Sequence, residues 1–206
     1  IETGETMDVP MDLKYTLGIP KGRTLVHAGR LVDGKSQTAR ADVDVVIEGN
    51  RIVSVSPHKA AGHSGTGFVD GSGLTLMPGL IEFHSHLQKD LGEAQGRAWL
   101  AFGVTTVRSP GGTPYEAVED REVMDAGIRP GPRVYSTGYL MEWQRVYYKM
   151  GIAISSPAQL EMELQRAQVL EHDLIKSYVR LPDPQQKRMV EFAHSIGVPV
   201  ATHEIF

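Results

Sequence analysis

From residue 78 onward the sequence alternates between short β-like segments and helical segments, and this alternation constrains the fold most. Three helices are predicted from one start signal, in which Pro follows a capping residue and Glu or Gln comes two positions later; the starts are Thr113-Pro114, Ser156-Pro157 and Asp183-Pro184. A further helix is predicted over 95–102. β-like segments occupy 80–83, 104–107, 133–136, 174–178 and 199–202. The order predicts βα units that feed a parallel sheet.

The number of predicted strands leaves two α/β architectures open. A closed (β/α)8 barrel needs eight units and about 250 residues, and a doubly wound sheet needs only five or six strands. The chain has 206 residues. No predicted strand is followed by a phosphate-binding Gly-rich loop, because 110–112 (PGG) lacks both the spacing and the Lys of such loops. The sequence therefore does not imply a nucleotide.

Residues 23–77 are predicted to form a small β unit, and residues 1–22 an irregular arm or linker. Gly49-Asn50 is a two-residue hairpin signal between two β-like runs. A second turn is predicted at 70–73. The predicted strands are 24–32, 43–47, 51–55, 67–69 and 74–77. The domain prediction is thus an arm (1–22), a β unit (23–77) and an α/β part (78–206).

Composition narrows the classes of partner. The net charge is −4, with acidic and basic residues interspersed, so no basic surface for nucleic acid is expected. Apolar runs fall well short of the ~20 residues of a membrane helix. Cysteine is absent, which excludes disulfides, thiolate metal sites and a Cys nucleophile. No signal peptide precedes the β unit, so a cytoplasmic location is favoured without being determined, and both chain ends suggest the N-terminal part of something longer.

His84 and His86 follow the first strand of the α/β part. Residues two apart on a strand project to the same face, and the carboxyl ends of parallel strands are where such folds build their sites. Two neutral imidazoles on one face are a good start to a divalent metal site. A bare His-x-His also arises by chance, so its position at a strand end carries the argument.

Lys176 ends an apolar run, which places its amine inside or at the mouth of the sheet. A buried Lys must lose or compensate its charge, either as a Schiff base or as a carbamate that can bridge two metals. The alternative is a surface Lys with a buried stem. Strand alternation adds Tyr178 and Arg180 to the same face, as binders of a substrate carboxylate or as packing residues.

His203 follows the fifth strand and would join the same rim. Three separate strands then deliver nitrogen ligands, or a ligand precursor, to one end of the sheet. The other histidines are interpreted as structural or surface residues: His27, His58, His63, His172 and His194.

Residues 70–86 (DGSGLTLMPGLIEFHSH) resemble the opening signature of the amidohydrolase superfamily. The resemblance extends to 28–34 (AGRLVDG), 49–55 (GNRIVSV) and 103–108 (GVTTVR), and it covers about residues 24–206. The branch that the chain resembles contains imidazolonepropionase-like enzymes and metal-dependent prolidases. Ser109 stands where many relatives have Asp.

The resemblance implies a small β-sandwich and a (β/α)8 barrel, here incomplete with about five strands. It also implies one or two divalent metal ions, usually zinc. His84 and His86 would bind one ion, carboxylated Lys176 would bridge, and His203 would bind the second. The superfamily also uses a His from the sixth strand and an Asp from the eighth, neither of which lies in these residues. The chain alone is therefore expected to be inactive, and the remaining half of the barrel or a homo-oligomer partner is expected beside it.

The function so implied is hydrolysis of an amide or related C–N bond by metal-activated hydroxide. The substrate is a small molecule resembling a dipeptide or an N-acylated amino acid, if Tyr178 and Arg180 hold a carboxylate. Two alternatives stay open: a metal-free Schiff-base lyase using Lys176, and a non-catalytic interaction module on the same scaffold.

Overall fold

A computed structural model describes residues 7–12, 14, 16–60 and 67–203. Its first part is a four-stranded sheet of β1 (Arg23–Leu31), β2 (Arg40–Glu48), β3 (Arg51–Pro57) and β4 (Gly67–Leu76), in the order β3-β2-β1-β4. The β1/β2 and β2/β3 pairs are antiparallel and β1/β4 is parallel. The predicted hairpin is confirmed: Glu48 pairs with Arg51, and Gly49 has φ +59°, a conformation that favours glycine.

The predicted turn at 70–73 is wrong, because β4 runs through it as one strand with an irregularity. Ala28 pairs with Gly71, but the next pair along is Arg30 with Thr75, so β4 holds extra residues opposite Gly29. A side chain at Gly29 would come within 1.9 Å of the Ser72 carbonyl oxygen. Glycine at 29 thus lets the bulged backbone pass close over β1.

One face of this sheet carries an apolar cluster, and its buried members are Ala28, Leu31, Val43 and Val45. The described residues of this part form a single sheet, so the second layer of the predicted β-sandwich stays a prediction.

The second part is built of parallel strands in chain order. β5 (Leu80–Glu82), β6 (Val104–Ser109) and β7 (Arg133–Ser136) form one sheet, and β10 (Ile175–Lys176) pairs with β11 (Val200–Ala201). The two groups are joined by the Asp173 N–H, which donates to the Ser136 carbonyl at 2.9 Å. Each of the five β-like segments predicted after residue 78 overlaps one of these strands.

A further parallel pair was not predicted: β8 (Leu140–Trp143) and β9 (Gly151–Ile154) lie between β7 and α3. Met141 forms a parallel bridge with Ser177, so β8 runs beside the end of β10. Both strands have only four residues, too few for a clear alternation in the sequence.

The helices are α1 (Gly92–Ala101), α2 (Pro114–Asp125), α3 (Pro157–Val169) and α4 (Asp183–Ser195). The predicted cap is confirmed at Ser156, whose hydroxyl accepts from the Gln159 N–H at 3.2 Å. Thr113 makes no such bond, and Asp183 lies inside its helix with Pro182 at the cap position. Thr113 nevertheless occupies the predicted cap position of α2, with Pro114 first in the helix. The prediction that Asp183 caps α4 is wrong, although that helix begins within a residue of where Pro predicts.

Helices α3 and α4 bury their apolar faces against β8–β11 in the larger core cluster, whose fully buried members include Ile154, Leu164, Ile175 and Met189. None of the helices in the described ranges is long and apolar enough to cross a bilayer. The predicted α/β class is confirmed; that the parallel strands belong to an incomplete barrel stays a prediction.

Candidate functional site

The four predicted ligand residues meet at the carboxyl ends of β5, β10 and β11. The ring of His84 lies 5.6 Å from that of His86 and 5.1 Å from that of His203, measured between centroids. Together with Lys176 these rings line a cavity of about 280 Å³. Side chains from three strands, up to 119 residues apart in sequence (203 − 84), are thus brought together.

The rest of the cavity wall is apolar or aromatic. It consists of Leu140 on β8, Tyr148 and Met150 in the loop after β8, and Tyr178 after β10. The Tyr178 ring lies 5.1 Å from that of His203 and 5.9 Å from that of Tyr148, both in edge-on contact.

His86 is held by the backbone after β6. Its Nδ1 lies 3.0 Å from the Gly111 carbonyl oxygen, which can only accept, so Nδ1 carries a proton and donates it, and Nε2 is the nitrogen left to face a ligand. A side chain at Gly111 would come within 3.1 Å of the His86 Cε1 atom. An imidazole fixed in this tautomer by a carbonyl is the usual arrangement of a metal-binding His.

Lys176 is almost completely buried, with 1% of its surface exposed. Burial, together with the smaller effect of the positive charge of Arg108, lowers the pKa of its amine to about 8. Neither a hydrogen bond nor an ion pair of this amine occurs in the part of the chain that the structure describes. An amine of this kind is neutral often enough near pH 8 to react with carbon dioxide or a carbonyl.

Two imidazoles of the cluster, those of His84 and His203, favour the neutral form. Burial lowers the pKa of His84, and the neighbouring Lys176, His203 and His86 act in the same direction. Burial and the charge of Lys176 lower the pKa of His203. Neutral imidazole is the form that binds metal ions.

Within the described residues, the histidine rings are adjacent but are not arranged as a set of metal ligands. Across residues 7–60 and 67–203, apart from the undescribed positions 13 and 15, no three His, Cys, Asp or Glu side chains are set to hold a metal ion. The rings meet edge to face, at 74° and 84°. The donor types and their proximity fit a divalent metal site, and side-chain rotations would be needed to close around an ion.

The two predicted substrate-binding residues are separated by the structure. Tyr178 lines the cavity, and burial raises the pKa of its hydroxyl, as does its hydrogen bond with Tyr148. Arg180 is not among the lining residues, because its guanidinium bonds the Glu142 carboxylate at 2.7 Å. Strand alternation does not by itself assign Arg180 to the face of Lys176, since pairing ends at Ser177 and the chain turns there. Its role in binding a carboxylate stays a prediction.

Sequence reasoning missed Glu142, Tyr148, Met150 and the Gly111 carbonyl. Glu142 is fully buried, and its Oε2 has no partner within the described residues. The signal was present: an acidic residue in the apolar run 140–143 (LMEW) needs a partner. Nothing in the sequence places 148 or 150 beside the histidines.

The remaining histidines lie away from this cavity. The rings of His27, on β1, and His58, directly after β3, stack with their centroids 3.6 Å apart, and His58 bonds Asp44 at 2.7 Å. His172 is buried before β10, and His194 is exposed on α4. His63 lies outside the described residues. A larger, open depression of about 840 Å³ includes His172 but none of the predicted ligands, so its size does not make it the site.

Comparisons with known proteins bear on the fold of this chain. The chain is similar to a solved protein of Bifidobacterium longum assigned as a prolidase, at 27% identity and TM-score 0.79, over 90% of this chain and 50% of that one. It has the fold of a Xaa-Pro dipeptidase solved with methionine in its active site, at 20% identity and TM-score 0.74, over 88% and 56% of the two chains.

Among sequences, a dihydroorotase of Citrifermentans bemidjiense is 39% identical over 64 residues, which are 31% of this chain and 15% of the relative. No family model matches the chain. The chain spans about half the length of the solved chains that it matches. The predicted resemblance to the amidohydrolase superfamily is confirmed.

Proposed function

We propose that this chain, a member of the amidohydrolase superfamily, supplies the first part of a metal-dependent hydrolase that cleaves an amide C–N bond. The observation that carries the proposal is the meeting of His84, His86, Lys176 and His203 in one cavity at the carboxyl ends of three parallel strands. The parallel strands would belong to an incomplete (β/α)8 barrel, with the β sheet as part of a small sandwich.

The donor set suits one or two divalent ions, with zinc as the expected metal. His84 and His86 would hold one ion, Lys176 would bridge as its carbamate, and His203 would hold the second. When bound, such an ion polarises the scissile carbonyl and lowers the pKa of water to about 7.

The residues of this chain contribute the remaining chemistry. The neutral Lys176 amine attacks carbon dioxide, so that one N–C bond forms and one proton leaves to solvent; the buried carbamate then has two oxygens to offer. The Gly111 carbonyl keeps the His86 proton on Nδ1, away from the cavity. Tyr178 stands at the cavity wall, where its hydroxyl can donate to a substrate carbonyl or carboxylate.

The substrate class that we propose is a dipeptide or an N-acylated amino acid. Its support is the similarity to proteins assigned as prolidases, together with the small cavity. The superfamily's other His and its Asp would come from the remaining half of the barrel or from a partner chain, so activity belongs to the full-length gene product.

The test combines metal analysis with turnover. The full-length product, purified with bicarbonate, is expected to contain divalent metal and to release free amines from a dipeptide panel, and a chelator should abolish that release. Lys176→Ala should lose both metal and turnover. Lys187→Ala changes a lysine that is 80% exposed on α4, and it should keep both.

A Schiff-base lyase is a second candidate, favoured by the buried amine whose pKa falls to about 8. It predicts that borohydride attaches a carbonyl substrate covalently to Lys176 and that chelators have no effect. A product with neither bound metal nor a borohydride adduct would refute both enzymatic proposals and leave an interaction module.

A further inference from the structure

We infer that the loop between β8 and β9, residues 144–150, determines substrate specificity by presenting Tyr148 and Met150 as an apolar wall for an uncharged apolar or aromatic side chain. The inference rests on the proposed function and assigns the substrate class of the same cavity.

The loop reaches the cavity directly. Tyr148 and Met150 line it together with Leu140 at the start of β8, in the same cavity as the histidines and Lys176. A side chain at Gly111, whose carbonyl holds His86, would lie within 3.4 Å of the Met150 sulfur. Met150 therefore lies close to His86, which belongs to the proposed reaction centre.

The loop is anchored at both ends, so the wall has a defined position. The Leu140 N–H donates to the Met150 carbonyl at 3.1 Å, and the Gln144 N–H donates to the Ile154 carbonyl at 2.8 Å. The Gly151 N–H donates to the Tyr148 carbonyl at 3.0 Å, and a side chain at Gly151 would come within 2.7 Å of Leu140 Cδ1. Such close packing of the loop on β8 requires glycine at 151.

The chemistry of the wall selects its ligand. The charged side chains of the loop, Arg145 and Lys149, are exposed and do not line the cavity. The thioether of Met150 and the side chain of Leu140 offer no hydrogen bond to a buried charge, and desolvating a charge against them is costly. They bind apolar and aromatic groups well, since thioethers and rings pack on aromatic faces.

The part of the cavity that the described residues line measures about 280 Å³, which is room for one amino-acid side chain. The inferred substrates are thus amides of apolar or aromatic amino acids.

The experiment measures kcat/KM for dipeptides that differ only in one residue, namely phenylalanine, leucine, alanine, aspartate or lysine, using the full-length gene product. The wild type should favour phenylalanine over aspartate by about 10-fold or more. Tyr148→Ala and Met150→Ala should lower the phenylalanine-to-alanine ratio by about 10-fold while the alanine substrate is still turned over. Tyr115→Ala and Met162→Ala, at residues 68% and 51% exposed, are matched controls that should leave this ratio unchanged.

Two results would overturn the inference with the proposed function intact: a wild type that prefers the charged substrates, or a ratio within about 2-fold of wild type in both alanine variants. Where an alanine variant does not fold, Met150→Gln decides, because it keeps the length and adds a polar end; it should lower the preference for phenylalanine. If the wild type hydrolyses no member of the panel, the proposed function fails and the inference falls with it.

Discussion

His172 should make the chain lose stability in acid. Its side chain is 5% exposed, and its Nδ1 accepts the Gly138 N–H at 3.1 Å. Burial, together with the smaller effect of the nearby Arg121 charge, lowers the pKa of the imidazole from 6.5 to about 4. Protonation of Nδ1 would also be unfavourable, because its new N–H and the Gly138 N–H would be two donors facing each other.

The size of the effect follows from the two pKa values. Between pH 6.5 and about 4 the unfolded chain binds this proton and the folded chain does not, so the free energy of unfolding falls as the pH falls. One pKa unit corresponds to about 1.4 kcal/mol, so this residue accounts for a loss of about 3 kcal/mol by pH 4. Above pH 6.5 both states are neutral and the term vanishes.

The assay is urea unfolding followed by circular dichroism at half-unit steps from pH 4 to pH 8. His172→Asn is the informative variant, because an amide oxygen can still accept from Gly138 and does not titrate. Its loss of stability between pH 7 and pH 4 should be about 3 kcal/mol smaller than that of the wild type, whatever its stability at pH 7.

The matched control is His194→Asn, which changes an exposed histidine on α4 and should follow the wild-type curve. Parallel pH profiles for the wild type and His172→Asn would refute the reasoning, since another group would then carry the acid sensitivity.

Two further predictions concern residues around the cavity. Arg180→Met should lower the free energy of unfolding by about 3–5 kcal/mol, because it leaves the Glu142 carboxylate buried without its partner. Glu142→Gln should cost less, because the partly exposed Arg180 can be hydrated; equal losses in urea unfolding would contradict this account. Gly111→Ala should displace the His86 ring, to which the new methyl would lie 3.1 Å, and reduce bound metal in the full-length product by about 10-fold or more. Gly112→Ala, whose methyl would meet nothing nearer than 3.9 Å, should bind metal as the wild type does.

The sequence alone determined the elements that depend on short-range chemistry. Pro after a polar residue marks the starts of α2, α3 and α4, because proline preorganises the first helical turn. The Gly49-Asn50 turn follows from the left-handed conformation that glycine adopts. His84 and His86 were visible as a His-x-His pair after a β-like run, and Lys176 was visible as a charged residue at the end of an apolar run.

Only the tertiary structure decided which other side chains line the cavity beside those residues. The pairing of Glu142 with Arg180, the bulge of β4 over Gly29 and the place of Met150 beside Gly111 join segments distant in sequence or depend on backbone irregularities. Local periodicity in the sequence does not predict such contacts, because each contact depends on how a whole strand or loop packs against its neighbours. The sequence thus determined the proposed reacting groups, and the packing of β8 and β9 beside β10 determined the wall that a substrate would meet.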